Sequence, residues 1–365
     1  MGKGASSGRL SRFVFRLLGP SWGRKLLARR VRARSAHLPP FSFPLDPAQY
    51  ARVLIILPSK RLQVLHQLKN LAELTAFFKN ASITILAEET SAPLVRLIDR
   101  TNVVEYRYEQ KKLFSSTFNQ FIGELYGIVD LCCLLTRDED LPLLYLAGMT
   151  AAPVRIGYVG SGGSPFLNLQ VEPSPSRIYL PEWNSALAEM LGAKRAKQAR
   201  WSASKETMAE IDHLLKELHI DPRARLCGVD ADFACRRFGA SWAERFIRAL
   251  IPATQGSLYL YAKDDDDAGI MEWLSQFNLP LMHSLSVSQI AALISRSALI
   301  VTGNTLLFGL ATLMETRVVG LFDTQHLDAY CPVTTTVKGI PFERTPDEKT
   351  IDNAAIAVAE LLLVS

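Results

Sequence analysis

The polar run Thr302-Gly303-Asn304-Thr305 carries the clearest chemical pattern in the chain. Leu293 to Ser297 reads as the end of a helix, Ala298 to Val301 as a buried strand, and Leu306 to Ala311 as the start of another helix. In a twisted α/β sheet, ligands bind where a strand passes into a helix. The first N–H groups of the new helix have no partner within it, and its positive end favours an anion such as a phosphate. Asn304 and Thr305 stand at that corner. On the segment alone, an ordinary strand-to-helix connection that holds nothing fits equally well.

Other patterns exclude more than they assign. Gly160-Ser161-Gly162-Gly163-Ser164 does not follow a first strand and lacks the G-x-G-x-x-G spacing, so it is no dinucleotide fingerprint. It reads as a surface loop, with a phosphate cradle as the alternative. Five cysteines (Cys132, Cys133, Cys227, Cys235, Cys331) lack C-x-x-C spacing, and the six histidines never pair at metal-ligand spacing. No metal site is expected, and the cysteines read as reduced thiols of a cytoplasmic protein.

The elements that must position these residues alternate strand with helix. In the first half, Arg52 to Leu57, Ser82 to Leu86, Val103 to Tyr106, Val129 to Leu135 and Val154 to Tyr158 are short apolar runs separated by helical patterns. Pro58-Ser59-Lys60-Arg61 makes the first turn. The rhythm restarts after the linker at Lys194 to Arg200. Leu226 to Val229 is a strand, and Asp230 to Arg237 a loop before a helix from Ser241 to Leu250. Ser257 to Tyr261 and Val318 to Phe322 are further strands, and Thr350 to Leu363 is a helix. The class is α/β, with parallel sheets and right-handed crossovers. At 365 residues the chain suits two Rossmann-like domains facing a central cleft. The expected divisions are an N-terminal arm and linker at 1–48, a first domain at 49–182, a connector at 183–204 and a second domain at 205–365.

The charge is lopsided. Residues 1–34 hold ten basic residues and no acidic one; without them, 31 basic stand against 36 acidic side chains. The body therefore has no electrostatic footprint for nucleic acid. Leu10, Phe13, Val14, Leu17 and Leu18 face away from Arg9, Arg12 and Arg16, and Arg24 to Arg34 is a second basic run. A basic amphipathic arm over residues 9–34 can lie on an anionic membrane surface. A disordered extension or a transit peptide are the alternatives. Arginines interrupt every apolar stretch of the arm, so it is not a secretory signal. The chain has no run of about 18 apolar residues, so no spanning helix is expected.

The order of elements, together with Ala152-Pro153-Val154-Arg155-Ile156-Gly157-Tyr158, Ser288-Gln289-Ile290-Ala291-Ala292-Leu293-Ile294 and Val318-Val319-Gly320-Leu321-Phe322 before Pro332, resembles the family 9 glycosyltransferases. These are the heptosyltransferases of lipopolysaccharide core synthesis, of GT-B architecture. The resemblance spans residues 51–363. It implies a sugar-nucleotide donor such as ADP-heptose on the second domain and no other cofactor. It also implies a lipid-linked saccharide acceptor on the first domain, at the inner face of the inner membrane. The implied transfer is inverting and metal-independent.

The resemblance also assigns residues. Gln63 stands where the family keeps the aspartate base, and glutamine takes no proton at neutral pH. Asn304-Thr305-Leu306 stands at the family's Asp-Thr-Gly, with Gly309 at its histidine position. Arg236 would meet the leaving phosphate, with a plain surface charge as the alternative. Outside the matched motifs, Asp265 in the acidic run 264–267 is a candidate for the donor ribose, with a solvated turn as the alternative, and Ser59, Lys60 and Arg61 are candidates for an acceptor phosphate. An active inverting glycosyltransferase is expected. The alternative is a non-catalytic relative that binds a sugar nucleotide or glycan. A two-domain epimerase of related architecture would need an acid/base pair in the cleft, and no convincing pair stands out.

Overall fold

A computed structural model describes residues 22–98, 102–107, 112–113, 115–160, 162–193, 203–221, 225–254, 258–263, 267–344 and 346–363. The chain divides into two units, Met1–Arg177 with Pro181–Ala199 and Ile178–Leu180 with Arg200–Ser365.

Unit 1 opens with helix α1 over residues 22–35. Strand β1 (Arg52–Ile56), helix α2 (Arg61–Phe77), β2 (Ser82–Glu88), α3 (Ala92–Val95), β3 (Asn102–Tyr106) and α4 (Ser116–Leu125) follow. Then come β4 (Leu131–Leu134), α5 (Leu141–Met149), β5 (Val154–Tyr158), β6 (Leu169–Val171) and α6 (Leu180–Leu191). The sheet is parallel, in the order β3-β2-β1-β4-β5-β6. Strand β1 lies at its centre, and Val53, Leu54, Ile55 and Ile56 are all buried, as their unbroken apolar run requires of a strand covered on both faces.

Unit 2 contains α7 (Lys205–Glu217), β7 (Leu226–Asp230), α8 (Ala231–Phe238), α9 (Ala240–Ala253), β8 (Leu258–Tyr261), α10 (Ala268–Ser275) and β9 (Leu281–Met282). It continues with α11 (Val287–Arg296), β10 (Ser297–Gly303), α12 (Leu306–Leu313), β11 (Arg317–Asp323), α13 (Leu327–Tyr330), β12 (Val337–Phe342) and α14 (Glu348–Leu363). Its parallel sheet runs β12-β11-β10-β7-β8-β9. Counted from the first strand of each unit, the two sheets have the same order. In both, the first and fourth strands are neighbours, and the chain leaves them toward opposite edges. Such a switch point opens a crevice at the carboxyl ends of the strands.

Three sequence expectations change. Residues 22–34 are not part of a free arm. Leu27, Ala28 and Val31, on one face of α1, belong to the core of unit 1 with Leu54, Leu134 and Leu144. A Cβ on Gly148 of α5 would stand 2.8 Å from Val31, so the two helices meet at a residue without a side chain. Arg34 donates to the Met149 carbonyl and lies 4.1 Å over the Tyr126 ring. Burying Leu27 and Val31 contributes about 1.5–3 kcal/mol each, as an upper figure. The other half of the expected arm, with Leu10 to Leu18, lies outside the described residues.

The expected connector helix is also part of unit 1. The Tyr158 hydroxyl donates to the Asn184 carbonyl at 2.7 Å, and Asn184 donates to the His66 carbonyl at 2.9 Å. Trp183 packs on Tyr158, and Arg137 stacks on its ring at 4.2 Å. Finally, the expected loop Asp230 to Arg237 is helical as α8. The Asp230 carboxylate accepts the Phe233 N–H and caps it, and Gly239 ends it with φ of 89°. Strands β6 and β12 were not expected; both are sheet edges, where alternation is weak.

Among the described residues, no helix is long and apolar enough to cross a membrane. All five cysteines are free.

Candidate functional site

In unit 2 the switch point lies between β7 and β10, which pair in parallel with Val229 beside Val301. Asp230 is the last residue of β7, and Thr302 and Gly303 close β10. The Asp230 carboxylate is buried and takes three hydrogen bonds. Its Oδ1 accepts the Phe233 N–H at 3.1 Å, and its Oδ2 accepts the hydroxyls of Thr302 at 2.7 Å and Thr305 at 3.2 Å. The two threonine hydroxyls are 2.8 Å apart. Burial pushes the Asp230 carboxyl up to about 6, against the three hydrogen bonds, and the nearby Asp232 charge adds to the rise. No cation pairs with it among the described residues.

This knot determines what α12 can do. Thr305 occupies the N-cap position of α12, but its hydroxyl is turned to Thr302 and Asp230, and no side chain caps the helix. The first-turn N–H groups at Leu306, Leu307 and Phe308 therefore stand without a capping acceptor. Asn304, Thr305, Leu306 and Gly309 are half-buried around this end. The arrangement can hold an anion by backbone donors. Gly303 lets the corner close: a Cβ there would stand 2.0 Å from the Phe233 ring of α8.

Arg236 lies one turn along α8. Its Nε donates to Asp232 at 2.5 Å, and a terminal nitrogen is 3.5 Å from Asp267, the N-cap of α10. Asp232 is buried. Asp265 lies outside the described residues.

In unit 1 the switch point lies between β1 and β4, which pair with Ile56 beside Leu134. Here α2, after the first strand, has no side-chain cap at Lys60, and α5, after the fourth, is capped by Asp140 through the Leu143 N–H. Ser59 donates to Asp140 at 3.2 Å and lies 3.3 Å from the Tyr106 hydroxyl. Burial pushes Tyr106 up to about 12, so its hydroxyl keeps its proton. Gln63, in the first turn of α2, donates from Nε2 to Oδ2 of Asp138 at 2.7 Å. The Lys60 ammonium is 3.7 Å from the same oxygen. Glu139 pairs with Arg24 of α1, whose guanidinium also reaches the Gly162 carbonyl. Arg61 is the first residue of α2.

The structure thus brings Ser59, Lys60 and Gln63 to one corner, and Asn304, Thr305, Leu306 and Gly309 to another. Sequence reasoning missed Asp138 and Asp230. Each stands just past or at the end of a buried strand, the one position signal that could have pointed to it.

No protein-family model and no curated protein sequence matches the chain. Solved structures do. A family 9 glycosyltransferase of Veillonella parvula aligns over 87% of this chain and 98% of its own, with a TM-score of 0.70 and 16% identity. A heptosyltransferase of E. coli solved with ADP aligns over 85% and 99%, with a TM-score of 0.65 and 15% identity. The ADP-heptose lipopolysaccharide heptosyltransferase II of E. coli aligns over 85% and 97%, at 0.62 and 16%. The chain has the fold of these glycosyltransferases. The alignments span nearly the whole of each relative, so both units correspond, and the GT-B-like fold class expected from the sequence is the observed one.

Proposed function

We propose that the protein is a glycosyltransferase of lipopolysaccharide synthesis. It moves a heptose-like sugar from a nucleotide-sugar donor, of the ADP-heptose kind, to a lipid-linked glycan. The observation that carries the reading is the uncapped start of α12 at the β7–β10 switch point, in a fold shared with heptosyltransferases. Backbone N–H groups at Leu306 and Leu307 suit a diphosphate, which accepts hydrogen bonds without adding a buried carboxylate to Asp230. Asn304, Thr305 and Gly309 surround the anion, and Asp265 is the proposed ribose contact. Arg236, held on two carboxylates, offers positive charge as the leaving diphosphate gains its own. Unit 1 takes the acceptor, with Ser59, Lys60 and Arg61 on its phosphates. The transfer inverts the anomeric carbon and uses no metal. Apart from Asp265, which comes after β8, these groups follow the first strand of unit 1 and the first and fourth strands of unit 2, as in other switch-point sites.

The proposed membrane contact is narrower than a whole arm. Leu27 and Val31 are in the core, but Trp22, Lys25, Leu26, Arg29 and Arg32 are exposed on the other face of α1. A basic face carrying a tryptophan and a leucine suits the inner, anionic face of a bilayer.

Calorimetry with ADP-heptose, ADP and UDP-glucose tests the donor unit, and transfer of labelled heptose to lipopolysaccharide from a heptose-deficient strain tests the reaction. Binding of ADP-heptose with transfer supports the reading. No heat with any of the three nucleotides ends it.

A further inference from the structure

The geometry points to Asp138 as the general base of this site, with Gln63 as the residue that positions it. This rests on the glycosyltransferase reading and adds the group that reading lacks. A base for the acceptor must be a carboxylate at the carboxyl end of the unit 1 sheet, reachable from outside, and not already committed to holding the fold.

Four other carboxylates near this end of the sheet are held differently. Asp140 caps α5 and accepts the Ser59 hydroxyl. Glu139 is paired with Arg24. Glu88 accepts the Thr90 N–H and hydroxyl, and Glu89 pairs with Arg107. Asp138 differs. Its side chain is 61% exposed, and Gln63 and Lys60 both approach Oδ2. Among the described residues nothing donates to Oδ1. One oxygen is held and the other is open to an acceptor hydroxyl, the arrangement a positioned base needs.

The pairing also accounts for the glutamine at position 63. Gln63 cannot accept a proton at neutral pH, but its amide orients a carboxylate carried in from the neighbouring strand. Helix α2 follows β1, Asp138 follows β4, and β1 and β4 are adjacent in the sheet. The two loops that carry the pair are therefore one strand spacing apart.

In the step itself, the acceptor oxygen bonds to the anomeric carbon of the donor sugar. Its proton passes to Oδ1 of Asp138. The bond from that carbon to the diphosphate oxygen breaks, and its electron pair leaves with the nucleoside diphosphate. No oxidant or further reactant is needed.

The test is transfer of labelled heptose from ADP-heptose to lipopolysaccharide from a heptose-deficient strain, with donor affinity measured separately by calorimetry. Asp138→Asn keeps the shape and the Gln63 contact but not the basicity. It should lower kcat by about 100-fold or more, leave ADP-heptose affinity unchanged, and abolish the acid limb of the kcat profile. The exchange variant Gln63→Asp with Asp138→Asn returns a carboxylate to the other side of the same hydrogen bond. It should recover at least about tenfold of the lost rate. Transfer by Asp138→Asn within about threefold of wild type overturns the assignment and leaves the glycosyltransferase reading intact. Wild-type protein that binds no donor and transfers no label overturns that reading and this assignment together. Loss of donor binding in Asp138→Asn also overturns it, because the role would then be structural.

Discussion

The Thr302 hydroxyl donates to Oδ2 of Asp230 at 2.7 Å, joining the ends of β10 and β7 inside the unit 2 switch point. Removing the hydroxyl by Thr302→Val leaves a buried carboxylate short of a donor. We expect a loss of about 1.5–3 kcal/mol in urea unfolding at neutral pH.

The raised Asp230 carboxyl gives stability a pH dependence of known sign. Below the ordinary aspartate range of 3.8 both folded and unfolded chains hold the proton. As pH rises from there to about 6, the unfolded chain has released it and the folded chain still holds it, so this group's contribution falls. Asp230→Asn should flatten the unfolding midpoint over that window relative to wild type. An unchanged slope would mean that the carboxyl titrates normally.

Gly303→Ala places a methyl group 2.0 Å from the Phe233 ring, which is itself held edge-on by Phe238. The overpacking should cost about 1–3 kcal/mol and weaken nucleotide binding by moving α8 against α12. Adding Phe233→Leu should restore part of both, measured by urea unfolding and calorimetry with ADP.

Arg236→Ala removes the charge proposed for the leaving diphosphate and strips buried Asp232 of its partner at 2.5 Å. Transfer should fall by about 10- to 100-fold, with stability lower by about 1–3 kcal/mol. Adding Asp232→Asn should restore stability without restoring transfer. Unchanged turnover in Arg236→Ala removes the arginine from the reaction.

The two faces of α1 should separate in experiment. Leu27→Ala should destabilise unit 1 by about 2–5 kcal/mol and leave binding to anionic vesicles intact where the protein is folded. Replacing Lys25, Arg29 and Arg32 with Glu should change stability by no more than about 0.5 kcal/mol per site, as exposed sites do, and abolish vesicle sedimentation. Equal partitioning of that variant would end the membrane reading.

The sequence by itself determined the class of fold and the place of the strand-to-helix corner at 302–305 in unit 2. Apolar runs such as Arg52 to Leu57 and Ala298 to Val301 are short and bounded by turn residues, which suits covered parallel strands, and the glycine and small polar residues at 302–305 suit the turn after one. Local pattern suffices there because burial and backbone geometry are both encoded within a few residues. The tertiary structure decided the rest. That Leu27 and Val31 face a core, and not a lipid surface, depends on Gly148, more than a hundred residues away. That Asp230 to Arg237 is a helix depends on a carboxylate that serves as cap and as partner to Thr302 and Thr305. That Gln63 meets Asp138 depends on the adjacency of β1 and β4, strands separated by three crossovers along the chain. Charge, capping and proton transfer act over a few ångströms in space, and no spacing along the chain records which distant residues the sheet order brings that close.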